Sequence, residues 1–144
     1  MGHCSQIALG VAAKKPERQV FCLDGDGAVL MHMGSLAIVG TQRPANFKHV
    51  VINNGAHDSV GGQPTAGFAV DFRAIALACG YTSAEAAKTR EEVAAAVARL
   101  REARGPALLE VRVRKGARPD LGRPTTSPAE NKRAFMKALG DGDA

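Results

Sequence analysis

Two short apolar runs each end abruptly in a small polar cluster. Gln19–Leu23 stops at Asp24-Gly25-Asp26-Gly27, and His49–Ile52 stops at Asn53-Asn54-Gly55. A run of four or five residues without polar alternation, bounded by turn chemistry, reads as a strand buried on both faces. Strands of that kind belong to parallel sheets covered by helices, because a sheet with one wet face would alternate. This one feature excludes most all-helical and sandwich architectures.

The segments between the runs agree. Ser5–Lys14 reads as a helix ended by Pro16, and Ala28–Gly40 as a longer helix closing near Pro44. A long segment, 56–67, carries no periodicity, and loops of that length are usually functional or mobile. Asp71 is placed as the N-cap of a helix through Cys79, with Gly80 as its stop. Thr89–Arg104 is amphipathic, with Val93, Val97 and Leu100 on one side and Glu and Arg on the other. Ala107–Val113 is the last strand, a basic Pro- and Gly-rich tail covers 115–128, and 129–139 forms a final short helix. The order is helix, strand, helix, strand, loop, helix, helix, strand. It predicts an α/β fold: a parallel sheet flanked by helices on both faces.

The 144 residues fit a single domain, 1–144. Hydrophobic residues at 45% and charged ones at 23% are ordinary for a soluble globular chain. Aromatics at 4% leave a core of Ala, Val, Leu and Ile, which suits layered packing. The net charge of +5 fits small anionic ligands. No nucleic-acid module is recognisable, and the bases lie on one helical stretch and the tail, mixed with acids, so nucleic acid is not expected as a partner. Cys4, Cys22 and Cys79 form no Cys-x-x-Cys pair, which points to a reducing, cytoplasmic setting. No apolar run approaches a membrane span. Gln6 stands where a myristoylation signal wants Ser or Thr, and the lysines follow the apolar stretch 7–13 where a secretory signal would have them first.

In open parallel sheets, ligands bind outside the carboxyl ends of the strands. Both polar clusters fall there, and they converge if the two strands are neighbours. One carboxylate, one amide oxygen and nearby carbonyls are hard donors that suit magnesium or calcium. Gly25 and Gly27 admit close backbone approach, and a helix starting near Ala28 aims its positive end at the same place. Each cluster alone is ordinary turn chemistry. Their pairing is what points to a diphosphate–metal unit.

The pairing resembles the signature of thiamine diphosphate (ThDP)-dependent enzymes, which begins Gly-Asp-Gly and ends Asn-Asn about 30 residues later. The resemblance implies the ThDP-binding fold. It also implies magnesium bridging the cofactor's phosphates, held by Asp26, Asn54 and the backbone carbonyl of Ala56. Met1, Gly2, Gly25, Gly27 and Ala28 are implied to bind cofactor, with Met1 as the prop beneath its bent conformation. The strand that precedes this methionine in the family is missing, so the domain is expected to be incomplete at its N-terminus.

Three segments, Met1–Gln6, Asn53–Thr65 and Leu121–Thr126, closely resemble the phosphonopyruvate decarboxylases, and the sulfopyruvate decarboxylase β subunits somewhat less. The implied reaction is ThDP- and Mg-dependent decarboxylation of 3-phosphonopyruvate to phosphonoacetaldehyde and CO2. Other small anionic 2-oxo acids, or a non-catalytic assembly module, remain as alternatives. The activating glutamate of the family sits on a separate pyrimidine-binding domain or subunit, so a homo- or hetero-oligomer is expected. Glu85, Glu91, Glu92 and Glu102 are placed on a solvated helix face, and Glu110 is read as structural. No catalytic residue is assigned within this chain beyond His57 and His3. These two, with Ser59, could contact the phosphonate or move a proton. Lys115, Arg118 and Arg123 could hold an anion but read better as a solvated tail.

Overall fold

The computed structural model describes residues 1–140; residues 141–144, included in the single-domain expectation, lie outside the described residues. The elements in order are α1 (Cys4–Lys14), β1 (Val20–Gly25), α2 (Asp26–Met31), α3 (Gly34–Gln42), β2 (Phe47–Asn53), β3 (Ala56–His57), a 3-10 turn (Asp58–Val60), β4 (Gln63–Pro64), α4 (Phe72–Ala78), β5 (Ser83–Ala87), α5 (Arg90–Glu102), β6 (Ala107–Arg112) and α6 (Pro128–Gly140). Four strands form a parallel sheet in the order β1-β2-β6-β5, and β3 and β4 make a small antiparallel pair beside it. No strand precedes α1 among the described residues. No helix among them is long and apolar enough to cross a membrane.

The sheet has a core on each face, as alternation along the strands requires. On one face, Cys22, Phe47, Val51 and Leu108 pack against Leu9 and Ala12 of α1, Leu36 and Val39 of α3, and Phe72 and Ala76 of α4. On the other, Val50, Ala107, Leu109 and Val111 meet Ala96 and Leu100 of α5. Leu100 lies inward as expected, but Ala96 takes the central place where Val97 was expected; Val97 is exposed. Lys48 is buried on this second face and donates to the carbonyl of Ala103, which caps α5. Burial pushes its ammonium below the ordinary lysine value, against the opposing charge of Glu102.

Three expectations are corrected. Asp24-Gly25-Asp26-Gly27 is not a turn: β1 runs through Gly25, and α2 starts directly at Asp26. The expected single helix 28–40 is two, because His32 leaves helical geometry (φ −133°, ψ 49°). The break lets α2 stay over β1 and β2 while α3 packs on α1 and α4. The expected helix–helix succession before the last strand hides β5, whose Ser-Ala-Glu-Ala-Ala composition favours helix; pairing with β6 overrides that propensity. Glu85 therefore stands on an edge strand, where it forms an ion pair with Arg99 (2.6 Å). The Arg99 side chain holds the Glu85 carboxyl below its ordinary value.

Two connections are fixed by short-range chemistry. Asn46 Nδ2 donates to the carbonyls of Ala12, Lys15 and Arg18, which ties the end of α1 to the entry of β2. Gly40 of α3 lies so close to the end of α4 that a Cβ there would stand 1.9 Å from the carbonyl oxygen of Cys79. That neighbour is backbone and gives way only if a helix moves. Gly40→Ala is expected to destabilise the fold by about 3 kcal/mol, the upper range for overpacking, read as a lowered midpoint in urea unfolding.

Candidate functional site

β1 and β2 are neighbours in parallel register, with Gly25 opposite Ile52 at their carboxyl ends. The two polar clusters consequently face one another. Between them lies a cleft of about 450 Å³ lined by Met1, Gly25, Asp26, Gly27, Ala28, Asn54, Ala56 and His57 together with Leu23, Asp24, Ile52, Asp58 and Ser59. Gly2 and His3 are not in its wall. Gly2 is buried at positive φ (82°) against His32, and the exposed His3 ring lies 4.4 Å from that of His32.

Asp26 opens α2 and is 1% exposed. One of its carboxylate oxygens, Oδ2, accepts the hydroxyl proton of Thr65. Thr65 Oγ1 in turn accepts from the N–H of Gly67 (3.0 Å). Asn54 is held from both ends of its amide: Nδ2 donates to Asp58 Oδ2 (3.0 Å), and Oδ1 accepts from the N–H of Ala56 (3.0 Å). An amide oxygen has two lone pairs, so one remains for a cation. Carboxylate, amide oxygen and carbonyls make a donor set for a hard divalent ion.

Two glycines shape this wall. A Cβ on Gly27 would stand 2.4 Å from Nδ1 of His57, whose ring lies on that backbone. His57 Nδ1 is buried and has no hydrogen-bond partner. A Cβ on Gly67 would stand 2.4 Å from Asp26 Oδ2 and 2.6 Å from Asn53 Oδ1. Only glycine leaves the space that these two side chains fill.

Sequence reasoning did not assign Asn53, Thr65 or Gly67 to the site. Asn53 is fully buried; its Nδ2 donates to the carbonyl of Gly67 (2.7 Å) and to Glu110 Oε1 (2.8 Å), and its Oδ1 accepts from Gly55 (3.1 Å). Its place beside Asn54 was the available signal. Glu110 is buried and pairs with Arg112 through Oε1 (2.8 Å), while its Oε2 is buried without a hydrogen-bond partner. Lys115 is exposed yet not a free tail residue: its ammonium donates to the carbonyl of Gly62, and Gly116 N–H donates to Asp58 Oδ2 (2.8 Å). Arg118 forms an exposed ion pair with Asp120, and Arg123 is exposed.

A parallel sheet with a hard-donor cleft at its carboxyl ends, entered by glycine-flanked backbone, defines an α/β domain whose donor set suits an anionic ligand carried on a divalent metal. The chain belongs to the family described as "Thiamine pyrophosphate enzyme, C-terminal TPP binding domain", which it matches over residues 1–111. It is 45% identical over 135 residues to a phosphonopyruvate decarboxylase of Streptomyces viridochromogenes, which covers 94% of this chain and 34% of that protein. A phosphonopyruvate decarboxylase of Streptomyces hygroscopicus is 42% identical, covering 95% of this chain and 34% of that one. The sulfopyruvate decarboxylase subunit beta of Methanococcus maripaludis is 41% identical over 83 residues, 58% of this chain and 44% of that subunit. The chain thus spans about a third of the length of the two decarboxylases. Among solved structures, a thiamin diphosphate-dependent enzyme from Mycobacterium smegmatis superposes with a TM-score of 0.59 at 25% identity, covering 76% of this chain and 20% of that one.

Asn53→Ala would leave Glu110 Oε1 with one donor fewer and the carbonyl of Gly67 unpaired in a buried place. The expected cost is about 3 kcal/mol, measured by chemical denaturation, with faster amide exchange across 55–67.

Proposed function

We propose that this chain, as one domain over 1–144, is the diphosphate- and magnesium-holding part of a ThDP-dependent decarboxylase of 3-phosphonopyruvate. The observation that carries the reading is the meeting of Asp26 and Asn54 in one cleft across the β1–β2 ends. Asp26 and Asn54 by side chain, and Ala56 by its carbonyl, would hold the magnesium. Thr65 aims the Asp26 carboxylate, and Asp58 orients the Asn54 amide. Gly25, Gly27 and Ala28 give the diphosphate room at the backbone, while Met1, Leu23 and Ile52 supply an apolar wall for the rest of the cofactor. When bound, ThDP supplies the electron sink for loss of CO2 from a 2-oxo acid. His57 and Ser59 are the residues of this wall proposed to meet the substrate's anionic end.

The carboxylates lining the cleft are Asp24, Asp26 and Asp58, with no glutamate among them. A glutamate-bearing pyrimidine domain or subunit is therefore proposed as partner, in a homo- or hetero-oligomer. A large apolar patch favours this. Phe21, Leu23 and Ile52 are 42%, 66% and 39% exposed on the sheet face that α5 leaves open, and Leu23 and Ile52 also line the cleft. Three free cysteines, one of them exposed, fit a reducing cytoplasm. A second reading, a sulfopyruvate decarboxylase β subunit, is favoured by the relatives that carry that name as separate subunits.

Isothermal titration of ThDP with magnesium tests the metal assignment. Asp26→Ala is expected to weaken binding about 100-fold or more, and Thr65→Val about 10- to 100-fold, the range for partners that orient a ligand. Undiminished binding by Asp26→Ala rejects the assignment. Turnover of 3-phosphonopyruvate against 3-sulfopyruvate by the assembled enzyme separates the two substrate readings.

A further inference from the structure

A second group of donors lies under the cleft and reaches its floor at Asp24, and none of the three side chains is assigned a role in the site above. Cys22 on β1 is the register partner of His49 on β2, and Asp24 follows two residues on, so all three side chains leave the same face of the sheet. They are 1%, 1% and 7% exposed respectively for Cys22, His49 and Asp24. The Cys22 sulfur, a carboxylate oxygen of Asp24 and a ring nitrogen of His49 all lie within 4.8 Å of one another. The outer contacts orient them. His49 Nδ1 meets the Tyr81 hydroxyl at 3.1 Å, and Asp24 Oδ1 accepts from the N–H of Gly25 at 3.0 Å.

What remains turns inward without a partner. His49 Nε2 is buried and makes no hydrogen bond. Its nearest acidic neighbour, Asp24 Oδ2, is 3.6 Å away, too long for one. Buried polar atoms are rarely left so. On the open side, exposed Cys4 at the start of α1 brings its sulfur to 3.6 Å from that of Cys22.

We propose that Cys22, Asp24 and His49 Nε2 bind a zinc-class cation, with Cys4 closing the fourth position from the solvent side. Thiolate and imidazole donors select zinc over magnesium, which separates this site chemically from the Asp26 and Asn54 oxygens. Two of the ligand spacings are already close to those of a loaded site, and Cys4, which lies outside the 4.8 Å group, would have to move in to complete it. With Zn–S near 2.3 Å and Zn–N and Zn–O near 2.0 Å, a tetrahedral site needs sulfurs about 3.8 Å apart and N···O about 3.3 Å. The structure has 3.6 Å for each. The cation would give His49 Nε2 the partner it lacks and offset the buried carboxylate. Tyr81, accepting from Nδ1–H, would fix the tautomer that leaves Nε2 free to bind, as ligating histidines require. Cys4 provides the way in.

The test uses the full chain, stripped with a chelator and kept in saturating magnesium, titrated with Co2+ and then Zn2+. One equivalent of cobalt should give thiolate-to-cobalt charge-transfer absorption, removed by one equivalent of zinc. The band should persist in Asp26→Ala and vanish in Cys22→Ala. Cys4→Ser, a near-isosteric change at an exposed side chain, should weaken it, and Tyr81→Phe should lower zinc affinity about 10- to 100-fold. The proposal is overturned if the wild-type chain gives no charge-transfer band, if the band survives Cys22→Ala, or if it is unchanged by Cys4→Ser.

Discussion

The buried amide of Asn53 is the contact on which the rest of the site depends. It ends the central strand β2, and it bonds at once to the β6 carboxylate, to the Gly67 carbonyl and to the Gly55 amide. Those bonds draw the 55–67 segment down onto the sheet. Gly67 is then pressed against Asp26, and Thr65 reaches the Asp26 carboxylate. The two cleft walls are therefore not independent. Position is passed from a core hydrogen-bond network to the Asp26 carboxylate, a network complete but for Glu110 Oε2, which is buried without a partner. Networks of this sort are effective when complete and costly when one member is lost.

The same economy holds at the backbone. Strand alternation puts Cys22, Asp24, His49 and Val51 on one face and Phe21, Leu23, Val50 and Ile52 on the other. The first set is buried almost entirely. The second is covered by α5 only toward β5 and β6, which leaves the β1 side open. A sheet that is dry on one face and half dry on the other is a physical basis for assembly, since the exposed apolar area adjoins the cleft. Burying a large side chain such as Phe21 or Leu23 is worth about 1.5–3 kcal/mol.

How much of this was legible in the sequence follows from what each signal depends on. The apolar runs at β1 and β2 came out as strands, but only β2 is buried on both faces. β1 lies at the sheet edge with Phe21 and Leu23 exposed, because nothing in the run itself tells an edge strand from a central one. α4 came out correctly, since its Asp71 cap and positive-φ Gly80 are local chemistry. β5 was not legible, because Ser-Ala-Glu-Ala-Ala becomes a strand only through its neighbour β6. The bend at His32 was missed for the same reason: apolar composition continues through it while packing on α1 and α4 does not. At the site, Asp26 and Asn54 stood out by motif spacing. Thr65 and Gly67 did not, because their part arises from a fold-back across 39 residues to Asp26 that no local pattern announces.

The family match ends at residue 111, just inside the last strand. Yet Lys115 and Gly116, beyond that point, hold the carbonyl of Gly62 and the carboxylate of Asp58, and Asp58 in turn holds Asn54. The boundary of the shared domain and the boundary of its working parts do not coincide. A splint from outside the common fold sets the posture of the loop inside it. Relatives with the same sheet and the same Asp26–Asn54 pair, but a different sequence after β6, would carry that loop in another pose and so present a cleft with a different mouth.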